Sequence, residues 1–166
     1  MTFAGIPTGA AVFVDANPLV YRYSLHAKFG PASTNLLDRI DRQDLTGYTT
    51  IHVLGEAAHR LMTLEAIVRL NWPQANIGNR LRANPAEVTK LSVFRTAIEA
   101  ILQSRLQVLT ISPTHMASAV DLSQQLGLLT NDALIVAVMQ SHGVTNLASS
   151  DTDFDVVPAI TRYGPV

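Results

Sequence analysis

Short strand-like runs alternating with helix-length stretches constrain this chain more than any other feature. Ala11-Val12-Phe13-Val14 is fully apolar and runs straight into Asp15. Gly47-Tyr48-Thr49-Thr50-Ile51 reads as a second strand ending, Leu106-Gln107-Val108-Leu109-Thr110-Ile111 as a third strand and Val144–Ser149 as a fourth. Ile160-Thr161-Arg162-Tyr163 supplies a candidate fifth at the sheet edge. Strands separated by helices pack as a parallel sheet between helix layers, so the expected fold class is a three-layer α/β/α domain.

The intervening segments carry helix signals. Asn17-Pro18 provides an N-cap followed by proline at the first helical position, with the helix running to about His26. Gly30-Pro31 breaks it. A second helix is expected over 32–44, with Leu36, Leu37 and Ile40 inward and Asp38, Arg39, Asp41, Arg42 and Asp44 on a solvated face. The next runs to about Leu70, with Leu54, Ala57, Ala58, Leu61 and Leu64 at helical spacing. Residues 73–84 are polar, with Gly78 and three Asn, and the stretch 71–84 is expected to form a loop or insertion. Asn84-Pro85 then opens a helix carrying Val88, Leu91, Phe94, Ile98, Ile101 and Leu102. Ser112-Pro113 opens another, stopped at Gly127. Thr130-Asn131-Asp132 starts an almost wholly apolar, buried one that ends at Gly143. Residues 1–10 read as an N-terminal extension, and 1–166 as a single domain.

Hydrophobic residues make up 48% of the chain and charged residues only 15%, so each acid in it calls for an explanation. There is no cysteine, which excludes disulfides and thiolate metal sites and points to an intracellular, cytoplasmic location. No run approaches the roughly 18 apolar residues that span a bilayer, and the N-terminus lacks the pattern of a secretory signal. The net charge of −1 argues against gripping nucleic acid by bulk electrostatics. Ten of the twelve basic residues are nevertheless Arg, the side chain suited to bidentate phosphate contacts.

The acids fall in a pattern. Asp15 follows a strand directly, Glu56 lies one turn into the helix after the second strand, Asp132 opens the buried helix, and Asp151 and Asp153 follow the fourth strand. Each has a bland reading alone. Asp15 and Asp132 can complement a helix N-terminus, Glu56 can pair with Arg60 at i+4, and Asp151 and Asp153 can make Asx turns. Together, all lie beyond the carboxyl ends of strands, where parallel sheets place ligand sites. Converging carboxylates repel by roughly 3 kcal/mol per pair at ~5 Å and an effective dielectric near 20, so such a pocket calls for a cation. Oxygen-only ligands suit Mg2+ or Mn2+.

The chain resembles the PIN-domain family, in particular the VapC-type toxins of toxin–antitoxin pairs. The matching pieces are Phe13-Val14-Asp15-Ala16-Asn17, Glu56, the run Leu128 to Ala137 around Asp132, and Ser149-Ser150-Asp151-Thr152-Asp153-Phe154. The resemblance implies a five-stranded parallel sheet and a metal-dependent endoribonuclease. Asp15, Glu56, Asp132 and Asp151 would form the catalytic quartet. Asp15, Asp132, Asp151 and Asp153 would be the metal ligands for Mg2+ or Mn2+, with Asn17 and Ser149 as supporting polar groups. Ser149 stands where the family more often has Thr. An RNA substrate, an antitoxin protein and a homodimer are the partners implied. Arg60, Arg69, Arg80 and Arg82, with Trp72 between them, are candidates to hold RNA and stack a base.

Other readings compete. The same scaffold could bind RNA or protein without cutting. A covalent phosphohydrolase would want a second acid two residues after Asp15, where the chain has Asn17, and a phospho-receiver would want Asp at the end of the third strand, where it has Thr110-Ile111-Ser112. His52, Glu56 and His59 share one helix face, but such a face is usually structural rather than a zinc site. Glu65, nine residues beyond Glu56, is too deep along the same helix to reach the sheet edge.

Overall fold

A computed structural model describes residues 1–166. Five parallel strands, β1 (Ala11–Val14), β2 (Thr46–Thr50), β3 (Gln107–Leu109), β4 (Asn146–Ala148) and β5 (Thr161–Tyr163), lie in the order β3-β2-β1-β4-β5. The helices are α1 (Ala16–Tyr23), α2 (Gly30–Asp41), α3 (Ile51–Arg69), α4 (Ile77–Ala83), α5 (Pro85–Val88), α6 (Val93–Gln103), α7 (Pro113–Leu126) and α8 (Thr130–Ser141). This is the three-layer α/β fold that the alternation predicts. No helix is long and apolar enough to cross a membrane.

The order has a physical consequence. From β1 the chain winds outward through β2 and β3, then returns to place β4 on the other flank of β1. Phe13 therefore pairs with Tyr48 on one side and Leu147 on the other. The crossovers diverge between β1 and β4 and open a crevice beyond their carboxyl ends. β1 is inside on both faces, with Val12, Phe13 and Val14 completely buried. α8 is buried from Ala133 to Met139, which explains its uniformly apolar sequence and anchors one wall of the crevice.

Several local expectations are corrected. The N-cap of α1 is Asp15, whose carboxylate accepts from Ala16 N–H at 2.7 Å, so Asn17 sits inside the helix. Gly30-Pro31 opens α2 rather than separating it from the preceding helix. The N-cap position of α8 falls on Leu129, with no side-chain cap from Thr130 or Asn131. Residues 1–10, read as an N-terminal extension, dock onto the fold. Phe3 and Ile6 are buried, and Arg39 donates to their carbonyls at 3.1 and 2.6 Å. Arg39 thus staples the N-terminal segment, while Asp38 pairs with Arg22 at 2.9 Å and Asp41 accepts from Arg105 N–H at 3.1 Å. The charged side of α2 is a set of tertiary clamps as much as a solvated face.

The stretch expected to be a loop or insertion contains α4, and the single helix expected from Asn84 is divided into α5 and α6. The division has a cause. Glu65 on α3 accepts from Ser92 N–H at 2.9 Å and from Val93 N–H at 2.8 Å, satisfying donors at the start of α6. Leu81, Leu91 and Ala66 bury together in a small second core, with Trp72 packed against it.

Two stability measurements probe this frame. A Cβ at Gly47 would stand 2.6 Å from Ile40 Cδ1 and 2.9 Å from Leu106 Cδ1, so Gly47→Ala should cost about 1–3 kcal/mol in urea unfolding. An unchanged midpoint would refute the close approach. Removing the cap with Glu65→Ala should cost about 1–3 kcal/mol and speed amide exchange at Ser92 and Val93 first. Uniformly unchanged exchange would show that the cap contributes nothing.

Candidate active site

The crevice between β1 and β4 is built around Asp15. Its backbone N–H continues the ladder to Ala148 O at 3.1 Å, and the residue is 5% exposed. Ser149 Oγ donates to Asp15 Oδ2 at 2.7 Å, Asn17 Nδ2 donates to the same oxygen at 3.1 Å, and Ala16 N–H holds Oδ1. Burial pushes the Asp15 carboxyl up, while these hydrogen bonds and the charge of Arg60 pull it back without cancelling the rise.

Ser149 is completely buried and works in two directions. Besides donating to Asp15, its Oγ accepts from Asp151 N–H at 3.0 Å, tying the turn after β4 to the end of β1. Asp151 then caps the 3₁₀ turn Thr152–Val156 by accepting from Asp153 N–H at 2.9 Å. Asx-turn chemistry is therefore present here, alongside the clustering of acids. Asp155 leaves the cluster: Arg162 grips both its oxygens at 2.7 and 2.8 Å and holds its pKa down.

Asp132 occupies the first turn of α8, half-buried. Its carboxyl is pushed up to about 6, by burial first and then by the negative charges of Asp151, Asp15, Asp153 and Glu56. Four acids from three separate segments thus act on one group. Glu56, half-exposed on α3, lies 3.5 Å from Arg60 Nη1, which also donates to Asn17 Oδ1 at 2.7 Å. The i, i+4 pair expected from sequence exists, and it extends into the pocket through Asn17.

The donors facing this crevice are carboxylate, hydroxyl and amide oxygens, the set preferred by a hard divalent cation, and mutual repulsion among the acids is what such a cation relieves. No three His, Asp or Glu side chains stand close enough together to ligate one ion as they are. The acids surround the pocket rather than close on a point. The same fact rules out a formed zinc triad at His52, Glu56 and His59.

The residues expected to hold RNA are not brought together. Only Arg60 joins the acid pocket. Arg69 pairs with Glu65 and donates to Lys90 O, Arg82 donates to Asn79 on its own helix, and Arg80 lies exposed on α4. Trp72 is half-buried against the second core, so no open stacking platform forms between these arginines. Three contacts escaped the sequence. Thr49 Oγ1 donates to Val14 O at 3.0 Å, Tyr21 Oη meets Ser150 Oγ at 3.1 Å, and Arg162 Nη1 donates to Ser149 O at 3.3 Å. The first two join segments far apart in the chain, and the one available signal was that Thr49 and Ser150 sit at strand ends.

The family model for the PIN domain matches residues 12–160. Among solved structures, Mycobacterium tuberculosis VapC20, described as a sarcin-ricin loop cleaving toxin, aligns with a TM-score of 0.62 at 16% identity, covering 89% of this chain and 95% of that one. VapBC2 from Rickettsia felis, bound to a DNA fragment from its promoter, gives 0.57 at 17% identity, covering 93% and 98%. A toxin–antitoxin complex from Klebsiella pneumoniae gives 0.55 at 18% identity, covering 92% and 96%. No curated protein sequence matches the chain. At such identities the structural likeness speaks for the fold, and the family model, spanning both β1 and the turn after β4, places the chain in the PIN domain family.

Proposed function

We propose that the chain is an Mg2+- or Mn2+-dependent endoribonuclease that hydrolyses RNA phosphodiester bonds as the toxin of a toxin–antitoxin pair. The observation that carries this reading is the convergence on half-buried Asp132, its carboxyl raised by burial first, of the charges of four other acids from the ends of β1 and β4 and from α3. Asp15, Asp132 and Asp151 would hold the ion directly or through water, with Asp153 as an auxiliary ligand and Glu56 completing the acid set. When bound, the ion supplies Lewis acidity, making water in its shell more acidic and offsetting charge on the phosphate. Ser149 and Asn17 fix the Asp15 carboxylate so that its position does not depend on the ion. The ionised acids accept the proton that attacking water must lose.

A protein partner is supported by a cleft of about 540 Å3 between α1, α3 and α6, lined by Tyr23, Leu25, Leu61, Leu64, Val68 and Val93. Leu25 is 86% exposed and Val68 82%, and Leu25 holds a left-handed backbone at φ 53, a costly way to present an apolar side chain to water. We read this cleft as the antitoxin seat. A homodimer would use Met116 and Val120, exposed one turn apart on α7. One observation favours the second reading, a scaffold that binds RNA or protein without cutting: the carboxylates stand too far apart to share one ion as they are.

Two experiments decide between them. Purified protein should cleave a mixed tRNA and structured-RNA pool with Mg2+ or Mn2+ and not with EDTA. Asp15→Asn should abolish cleavage, and Ser149→Ala should lower it roughly 10–100-fold. Silence from folded protein that also binds no Mn2+ would establish the scaffold instead. In metal-free protein, Asp132 should titrate near 6 rather than the ordinary 3.8, followed by carboxyl NMR. Because the folded form holds this proton more tightly than the unfolded chain, its contribution favours folding below about 3.8 and is lost as pH rises through about 6. Ligation needs the ionised form, so Mn2+ affinity should fall as pH drops through about 6. A midpoint left near 3.8 would show that the acids do not converge.

A further inference from the structure

Five acids around the crevice repel the phosphates of an RNA strand as strongly as they attract a cation, so substrate would need a positive anchor at the pocket itself. One basic group touches both Glu56 and the Asn17–Asp15 pair. Arg60 lies one turn past Glu56 on α3, with Nη1 donating to Asn17 Oδ1 at 2.7 Å and standing 3.5 Å from Glu56 Oε1. Arginine has no acceptor, so the Asn17 amide must turn its oxygen to Arg60 and its nitrogen to Asp15, where it donates at 3.1 Å.

The remaining guanidinium donors are unspent. A guanidinium carries five N–H groups in a planar fork. Here Nη1 serves both contacts, while Nε and Nη2 make no hydrogen bond within the protein. The side chain is 37% exposed, open enough to be reached from solvent. Unspent donors also occur on surface arginines such as Arg82 and Arg95, but there no acid pocket adjoins them, and two arginines of the fold are fully engaged. Arg39 spends both terminal nitrogens on the carbonyls of Phe3 and Ile6, and Arg162 spends Nε and Nη2 on Asp155 and Nη1 on Ser149 O. An i, i+4 pair at this exposure contributes little to stability, so folding alone gives small reason for a cation at this point.

We propose that Arg60 is the phosphate anchor of the acid pocket: Nη1 locks it to Asn17 and Glu56, and Nε and Nη2 take the non-bridging oxygens of an RNA phosphate beside the cleaved bond. This rests on the ribonuclease reading and specifies how substrate overcomes the pocket's charge. The same guanidinium, through Asn17, couples the seated phosphate to the carboxylate at the bottom of the crevice.

The test uses the full chain with Asp132→Asn to prevent cleavage, and a short fluorescein-labelled single-stranded RNA of random sequence. Binding is followed by anisotropy across a salt series, and Mn2+ binding by paramagnetic resonance in proteins with Asp132 intact. Arg60→Gln keeps an amide donor for Asn17 but loses the charge. It should bind RNA roughly tenfold more weakly and lower the slope of log affinity against log salt by about 0.7, one single-strand phosphate contact. Arg60→Lys should restore the slope, and Mn2+ binding should persist in both, since loss of a positive charge beside the acids does not weaken a cation site. Unchanged RNA affinity and slope in Arg60→Gln, or a slope that Lys fails to restore, would overturn the anchor even if the parent binds Mn2+ and cleaves. A parent that binds neither Mn2+ nor RNA would overturn the ribonuclease reading and the anchor with it.

Discussion

Taking a carboxylate out of water costs several kcal/mol unless donors meet its oxygens, and the arrangement around the crevice follows from how Asp15 meets that requirement. It cannot sit deep in the sheet, where only backbone partners exist. At the end of β1 it can take the free N–H of a starting helix, a hydroxyl from the neighbouring strand and an amide from its own helix. Each donor brings a segment with it. Ser149 carries the turn holding Asp151, and Asn17 carries Arg60 and Glu56. The geometry of the site is therefore largely the hydrogen-bond shell of one buried acid.

Asp132 is placed by a different force. It rides on α8, a helix with seven consecutive buried residues from Ala133 to Met139, and reaches the crevice because packing puts it there. No hydrogen bond compensates it, so burial first and neighbouring charge after it act undiluted. The pocket thus has two kinds of wall. Asp15, Ser149 and Asp132 are fixed by buried elements, whereas Glu56 and Asp153 are solvent-exposed. Any tightening of the acids around an ion would fall to the exposed members, which agrees with side chains that ring the crevice without meeting at one point.

The sheet was legible in the sequence because its strands are short and separated by helix signals, and Asp15, Glu56, Asp151 and Asp153 because they follow strand endings, whereas Asp132 follows α7 and showed only as the opening of a buried helix. What escaped was decided by contacts between distant segments. Periodicity from Val88 to Leu102 is that of one helix, and only Glu65, reaching across from α3, ends one helix and begins the next. The polarity of 73–84 suggests a loop, yet Leu81 finds an apolar seat beside Ala66 and Leu91 and a helix forms over it. Trp72 and the nearby arginines suggest an RNA surface by composition, and packing disperses them. Asn17 reads as a cap from its place before proline, but the cap is Asp15, two residues earlier. That shift is what frees the Asn17 amide to join Arg60 to Asp15.

The docked N-terminal segment bears on the sheet itself. Thr2 bridges Gly164 in parallel, Phe3 N–H donates to Gly164 O at 3.0 Å, and Gly164 N–H donates to Met1 O at 2.8 Å. These residues sit where β5 would otherwise offer its backbone to another chain, and so act as a guard over that edge. β3, at the opposite end, has no such cover, and its Gln107 and Val108 are exposed. Growth of this sheet by an added strand accordingly has one open address, on the flank away from β4 and its acids.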